Sequence, residues 1–403
     1  MKTLYYHQPH TLLNRALRLL QTIIQRKGIL SLFTTLTILL LPLSVQGQTS
    51  NKILINSGWE MQDAAIISKE GMKAGWEMEN AAKVPQEGKV ISTTKYKPSG
   101  WYKATVPGTV LTTLVNNGVY PEPLYGENNR PEVIPEYLCH TDWWYRNEVM
   151  IPDSYKNKTI WLNFDGINYS ADIWVNGHRV GPIKGAFIRG NFDITPFVKP
   201  GQTAIIAVRI SPQPNTGVPF EHIMGTVGGP CGGVGRLDGP TFGCSSGWDW
   251  LSGIRDRNSG IWQDVFLSAT GHVLMKDPLI TSDLPLPRTD IASVTVQTTV
   301  QNTTGNVQKG IIKGSFDSIK FEKTIEIAPW RSQTFTFDPK DFAQLNIKNP
   351  KLWWPNGLGE QNLYSMHLSF EIDGKVSDEK EVTFRSEERR VGKECRSRWS
   401  PYH

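Results

Sequence analysis

Apolar and polar residues alternate in short runs along residues 48–270, and turn signals interrupt the runs before a helical period can build. Trp161-Leu-Asn-Phe-Asp-Gly166 reads as a strand closing in a turn. Ser170-Ala-Asp-Ile-Trp-Val175 alternates and then meets Asn176-Gly177, a dipeptide that tolerates the positive backbone angles of a two-residue hairpin. Phe187 to Ile194 and Ala204 to Ile210 continue the series, split by Pro196 and the Pro200-Gly201 turn. Helical spacing is almost absent, except for a short turn from Thr109 to Asn117 after Pro107-Gly108. Strands at this spacing predict an all-β unit, a jelly-roll sandwich.

Residues 271–384 predict a second sandwich with cleaner alternation. Ala292 to Gln301, Ile311 to Phe316, Lys323 to Ile327, Ser332 to Phe337, Leu363 to Ile372 and Glu381 to Phe384 read as its strands, with Asn302-Thr-Thr-Gly305 as a polar turn. Seven or so short strands in about 110 residues suit an immunoglobulin-like β-sandwich. Pro278 to Pro287 is the expected linker. Residues 385–403 then break the pattern: alternation stops and five Arg and one Lys stand against three Glu. This segment has no fold logic. It resembles a tail seen on unrelated chains and reads as non-native sequence, or else as a disordered basic tail.

Composition adds a boundary at the other end. Lys2, Arg15, Arg18, Arg26 and Lys27 precede an apolar run from Gly28 to Val45, and Val45-Gln46-Gly47 offers small residues for cleavage. Residues 1–47 therefore read as a signal peptide, with an uncleaved anchor as the alternative; an exported protein is expected, periplasmic, secreted or at the cell surface. Nothing beyond that segment suggests a membrane. The net charge of +5 belongs to the two ends, so the near-neutral body offers no basic stripe for nucleic acid. Fourteen Trp in 403 residues supply flat apolar faces for cores and for sugar C–H surfaces alike. The four Cys fit neither a zinc ribbon nor a disulfide scaffold; Cys231 and Cys244 share one loop and either pair or remain buried thiols. No metal or cofactor is expected.

The candidate chemistry lies in Ser246-Gly-Trp-Asp-Trp250, followed by Ile254-Arg-Asp-Arg257 and Ser259-Gly-Ile-Trp262. A carboxylate at Asp249, flanked by Trp248 and Trp250 on a Gly-rich loop, can accept hydrogen bonds from sugar hydroxyls while the indoles exclude water. Alternatively the two Trp pack a core and Asp249 caps a turn. Arg255, Asp256 and Arg257 read as an interdomain charge network or as a solvated face. The nine Gly between Gly225 and Gly247 are not a phosphate cradle, because no Gly-Lys-Ser/Thr follows them. Asn147-Glu148 lies inside a strand, and Glu148 is expected to face solvent.

In this order the motifs resemble family 2 glycoside hydrolases, the exo-β-glucosaminidase and β-mannosidase branch. Val106-Pro-Gly-Thr109, Trp143-Trp-Tyr-Arg146, Phe164-Asp-Gly-Ile167, Val175-Asn-Gly177 and Phe192-Asp-Ile-Thr195 look like that family's galactose-binding-like jelly roll. Pro350-Lys-Leu-Trp-Trp-Pro-Asn-Gly357 looks like its immunoglobulin-like domain. The resemblance implies a β-linked oligosaccharide or glycoside as substrate, bound with the help of Trp248, Asp249 and Trp250. It also implies that the two catalytic Glu of a retaining mechanism lie on a (β/α)8 barrel after the second sandwich. Such a barrel needs about 250 residues, and only residues 385–403 remain. No catalytic residue is therefore expected here, and the missing C-terminal barrel becomes the expected partner. The rival class is a stand-alone carbohydrate-binding or adhesion protein of two sandwiches.

Overall fold

In a computed structural model, the described residues are 52–73, 83–216, 239, 241, 254–285 and 288–386. They form two β-sandwiches in chain order. The first contains β1 (Lys52–Leu54), β2 (Glu60–Asp63), β3 (Tyr102–Lys103), β4 (Trp143–Met150), β5 (Thr159–Phe164) and β6 (Ile167–Asn168). It continues with β7 (Ser170–Val175), β8 (His178–Lys184), β9 (Gly190–Asp193), β10 (Thr203–Ser211), β11 (Gly260–Ile261) and β12 (Val265–Thr270). One sheet runs β3-β2-β4-β10-β7-β8 and the other β1-β12-β5-β9, with β11 and β6 as a separate antiparallel ribbon. Trp59, Tyr145, Leu162, Phe164, Ile173, Val208 and Leu267 close the core between them. At the hairpin joining β7 and β8, Asn176 and Gly177 both adopt positive φ, 48° and 86°. Their mirror-image turn matches the twist of the flanking strands.

Among the described residues, two helices depart from the near-absence of helix expected of the sequence. The short turn expected near Thr109 is α3, Val110–Asn116, whereas α1 (Ala64–Lys73) and α2 (Lys83–Ile91) have no counterpart in the alternation pattern. They exist because the six-stranded sheet is apolar on both faces. Trp144 and Trp174 point away from the main core, their rings 5.2 Å apart, and Ala64, Ile67 and Ile91 pack over them with Ala207. Asp63 caps α1 by accepting from Ala65 N at 2.7 Å. At the end of α2, the Arg146 Nε donates to the Ile91 carbonyl at 3.1 Å, a cation against the negative pole of the helix. Glu87 is buried between the layers, where it accepts from Ser68 Oγ (2.6 Å) and Trp144 Nε1 (3.3 Å).

The second sandwich contains β13 (Val273–Asp283), β14 (Ile291–Asn302), β15 (Gln308–Phe316), β16 (Ile319–Ile327), β17 (Ser332–Phe337), β18 (Asn346–Lys348), β19 (Tyr364–Ile372) and β20 (Lys375–Phe384). Its sheets run β13-β14-β17, with β18 also on β14, and β16-β15-β19-β20. Val294, Val296, Val300, Ile312, Phe337, Leu368 and Phe370 fill the core. The expected linker from Pro278 is corrected: β13 continues through Pro278 to Asp283. A register shift between Lys276 and Leu279 lets the proline pass without breaking the strand, as bulges do. Phe187 to Arg189 likewise form no strand, since β9 begins only at Gly190. The expected signal segment lies outside the described residues, as do Cys231, Cys244, Cys395 and residues 387–403 of the expected tail. The tail's expected start is corrected, because Ser386 is buried and its carbonyl accepts from Trp353 N at 3.3 Å. Among the described residues no helix is long and apolar enough to cross a membrane.

Candidate functional site

Two motifs about 150 residues apart in sequence meet at one end of the first sandwich. Gly108 N donates to Ile261 O and Val110 N to Ser259 O, both at 2.8 Å. This lays the Val106–Thr109 loop along β11. Gly260 makes the approach possible: its φ is +152°, and a Cβ there would sit 2.5 Å from the Gly108 carbonyl. Thr109 caps α3 by accepting from Thr112 N. Asp256, fully buried, accepts from Leu111 N (2.7 Å) and Asn258 N (2.9 Å). Burial pushes its carboxyl above the usual carboxylate range, against the hydrogen bonds from Leu111, Thr109 and Asn258.

The residues on either side of Asp256 are not a solvated face. Arg255 and Arg257 are buried, and both pair with Glu136, which stands 119 positions before the first of them. Arg255 bonds one oxygen of that carboxylate and also donates from Nε to the Asn129 carbonyl at 2.8 Å. Arg257 donates to the other oxygen at 2.8 Å, to Thr216 O at 2.6 Å and to Ile254 O at 2.7 Å. Among the described residues, the partners of both arginines belong to the first sandwich. Their shared carboxylate could not be singled out from the sequence: Glu136 sits in the irregular Ile134-Pro-Glu136 stretch, where no period marks it.

Trp248, Asp249 and Trp250 lie outside the described residues, but what flanks them is clear. Thr216 and Ile254, the residues bordering 217–253, are both held by Arg257. Between them, Gly239 O accepts from the Tyr169 hydroxyl at 3.2 Å. Thr241 Oγ1 donates to Asn168 Oδ1 at 2.9 Å and accepts from Gln213 at 3.0 Å. Asn168 spends its amide protons on the carbonyls of Arg257 and Asn258, each at 2.9 Å. Neither Asn168 nor Tyr169 stands out in sequence beyond its place after Phe164-Asp-Gly-Ile167.

Glu136, Cys139 and His140 bring ligating atoms within 4.8 Å of one another. Two guanidiniums already neutralise that carboxylate, and burial pushes the Cys139 thiol up, away from the thiolate a metal would need. The donors do not suit a cation. Glu148 is exposed and pairs with Arg146 at 2.8 Å, away from this cluster.

The family model described as glycosyl hydrolase 2 galactose-binding domain-like matches residues 76–263, and that of glycosyl hydrolases family 2 matches residues 273–384. The chain is 30% identical over 292 residues to an exo-beta-D-glucosaminidase of Streptomyces avermitilis, covering 72% of this chain and 29% of that protein. It is 33% identical over 309 residues to a mannosylglycoprotein endo-beta-mannosidase of Lilium longiflorum, covering 70% and 30% respectively. The crystal structure of the Amycolatopsis orientalis exo-chitosanase CsxA superposes with a TM-score of 0.63 at 25% identity, over 83% of this chain and 34% of that one. The chain thus spans about a third or less of the length of these relatives. With both family models in chain order across the two sandwiches, and relatives aligned over the same stretch, the chain belongs to glycosyl hydrolase family 2.

Proposed function

We propose that this chain is the N-terminal, non-catalytic part of an exported, retaining exo-β-glycosidase acting on β-glucosaminides or β-mannosides. In this reading Trp248, Asp249 and Trp250 form one wall of the terminal-sugar pocket. Hydrolysis itself is carried out by two Glu of a barrel that follows in the same polypeptide. The observation that carries the reading is the Glu136–Arg255–Arg257 network, in which the Arg257 guanidinium holds the carbonyls of Thr216 and Ile254 on either side of the loop that bears the Trp-Asp-Trp motif. Buried charge of this kind at a sandwich end is costly, and here it is spent on a loop rather than on the core. Relatives named for glucosaminide and for mannoside hydrolysis support the substrate class.

The chain alone is expected to leave aryl β-glucosaminides and aryl β-mannosides intact. Turnover that copurifies with it and disappears with a substitution inside residues 48–384 would overturn the non-catalytic assignment. Joined to its barrel, the Asp249→Ala enzyme is expected to lose more than about tenfold in kcat/KM, or about 1.4 kcal/mol of transition-state binding. Unchanged kinetics would make Asp249 a turn residue.

A further inference from the structure

We infer that the outward face of strands β14 and β17 is a second carbohydrate surface, which takes an extended, uncharged, β-linked polysaccharide and uses Trp330 as its stacking platform. The β-linkage rests on the proposed substrate class; the surface itself rests on the second sandwich alone. Burial alternates strictly along β14, so Thr295, Gln297 and Thr299 face outward while Val294, Val296 and Val300 fill the core. On β17, Ser332, Thr334 and Thr336 are exposed, and Phe335 and Phe337 are buried. The register sets Gln297 beside Thr336 and Thr299 beside Thr334. None of these outward side chains ionises. Across to β13 the row meets Thr281, Leu279 and a single cation, Lys276 opposite Thr299. A polyanion would find Lys276 alone to pair with, and a polycation would find no carboxylate in the two rows.

What the rows offer instead is hydroxyl and amide. The Thr299 and Thr334 hydroxyls are 2.9 Å apart and either can donate, and Gln297 Nε2 donates to Thr336 Oγ1 at 3.3 Å. A hydroxyl carries one proton and two acceptor positions, so a pair that shares one bond still presents both a donor and acceptors to solvent. Sugar hydroxyls carry the same mixture. At about 3.4 Å per residue, the row from Thr295 to Gln301 runs for about 20 Å, enough for several units of an extended chain.

The indole is a separate observation. Trp330 stands two residues before Ser332 and is 69% exposed. Its backbone is nonetheless fixed: φ is +57°, and its N–H donates to Thr304 O at 3.1 Å. Beside it lies Gly305, where a Cβ would sit 3.5 Å from the indole Nε1. Asn302, fully buried, ties the two turns together. Its amide donates to Asn306 O at 2.7 Å and to Ala328 O at 3.1 Å, while its oxygen accepts from Thr304 N at 2.9 Å. A buried side chain thus sets the base on which an open aromatic face rests. Such a face suits the C–H side of a sugar ring, and holding it in place beforehand lowers the ordering cost of binding.

Depletion isotherms of the whole chain on insoluble β-mannan and on chitin test the surface. Retention on at least one of the two is expected, and retention on neither would overturn the inference. Trp330→Ala should weaken retention by about tenfold. The pair Thr299→Val and Thr334→Val keeps strand propensity while removing both hydroxyls, and it should weaken retention by about threefold. This second variant decides the matter if Trp330→Ala does not fold. Equal retention of the wild-type and folded variant chains would overturn the assignment to this face. Equal retention on granular starch, whose chains are α-linked and coiled, would overturn the preference for an extended β-linked chain. The proposed pocket is read separately, by the kinetics of Asp249→Ala, so either reading can fail without the other.

Discussion

The two sandwiches bury different things. In the second, the interior is filled by Val296, Ile312, Phe337 and Leu368, and among the described residues its buried charge is confined to Asp378. In the first, Glu87, Arg146, Arg255, Asp256 and Arg257 are all buried, and each is bonded to loop or helix backbone, or to a side chain those elements supply. The second is a sandwich whose alternation nearly suffices to define it. The first spends polar interactions on elements outside its sheets, at the end where the Trp-Asp-Trp loop is rooted. The contrast teaches where to look for a pocket on a family scaffold: not in the layer that packs best, but in the one that carries buried charge it does not need for packing.

The contrast can be broken at its strongest point first. Glu136→Ala leaves Arg255 and Arg257 buried without their carboxylate, and about 3–5 kcal/mol of stability should be lost. Hydrogen exchange resolved to each sandwich should place that loss in the first one. Gly88→Ala comes next: a Cβ would lie 2.2 Å from the Trp174 ring, so α2 must lift, at a cost of about 1–3 kcal/mol. Urea denaturation should show the change, and exchange in the second sandwich should not respond. Ile312→Val, at a fully buried site of the second core, should cost only about 0.5–1.5 kcal/mol, read in the same way.

The finest test concerns slope rather than size. Burial raises the Asp378 carboxyl above its ordinary 3.8, opposed by Lys380 and by bonds from Met275 and Glu379. The folded chain therefore holds this proton to higher pH than the unfolded chain does. Its contribution to stability falls as pH rises from 3.8 through the folded value. Asp378→Asn should flatten that fall when denaturation of the second sandwich is followed across mildly acidic pH. An unchanged slope would show that Lys380 already compensates the charge.

Much of this architecture is legible in the sequence. Strand β7 at Ser170–Val175 and its Asn176-Gly177 turn, like β17 at Ser332–Phe337, follow from alternation and turn chemistry alone. Helices α1 and α2 are not, because the consecutive apolar Trp143-Trp144-Tyr145 run announces a strand covered on both faces without saying what covers it. The signal that could have found α1 is Asp63 ahead of Ala64-Ala-Ile-Ile67, a cap before an apolar run. At the candidate site the arginines are visible as a motif, but their carboxylate is not. A pairing across 119 positions leaves no local period to detect.

The helical layer has a consequence for the order in which the chain can mature. Helices α1 and α2, ten and nine residues long, are too short to persist alone in water. Their shelter, Trp144, Trp174 and Ala207, is synthesised after them. On the ribosome, residues 64–91 must wait without a partner until β10 has emerged and paired with β4 and β7. During that interval the outer face of the strand carrying Trp144 has no cover, and a chaperone that recognises short apolar strands would find it there.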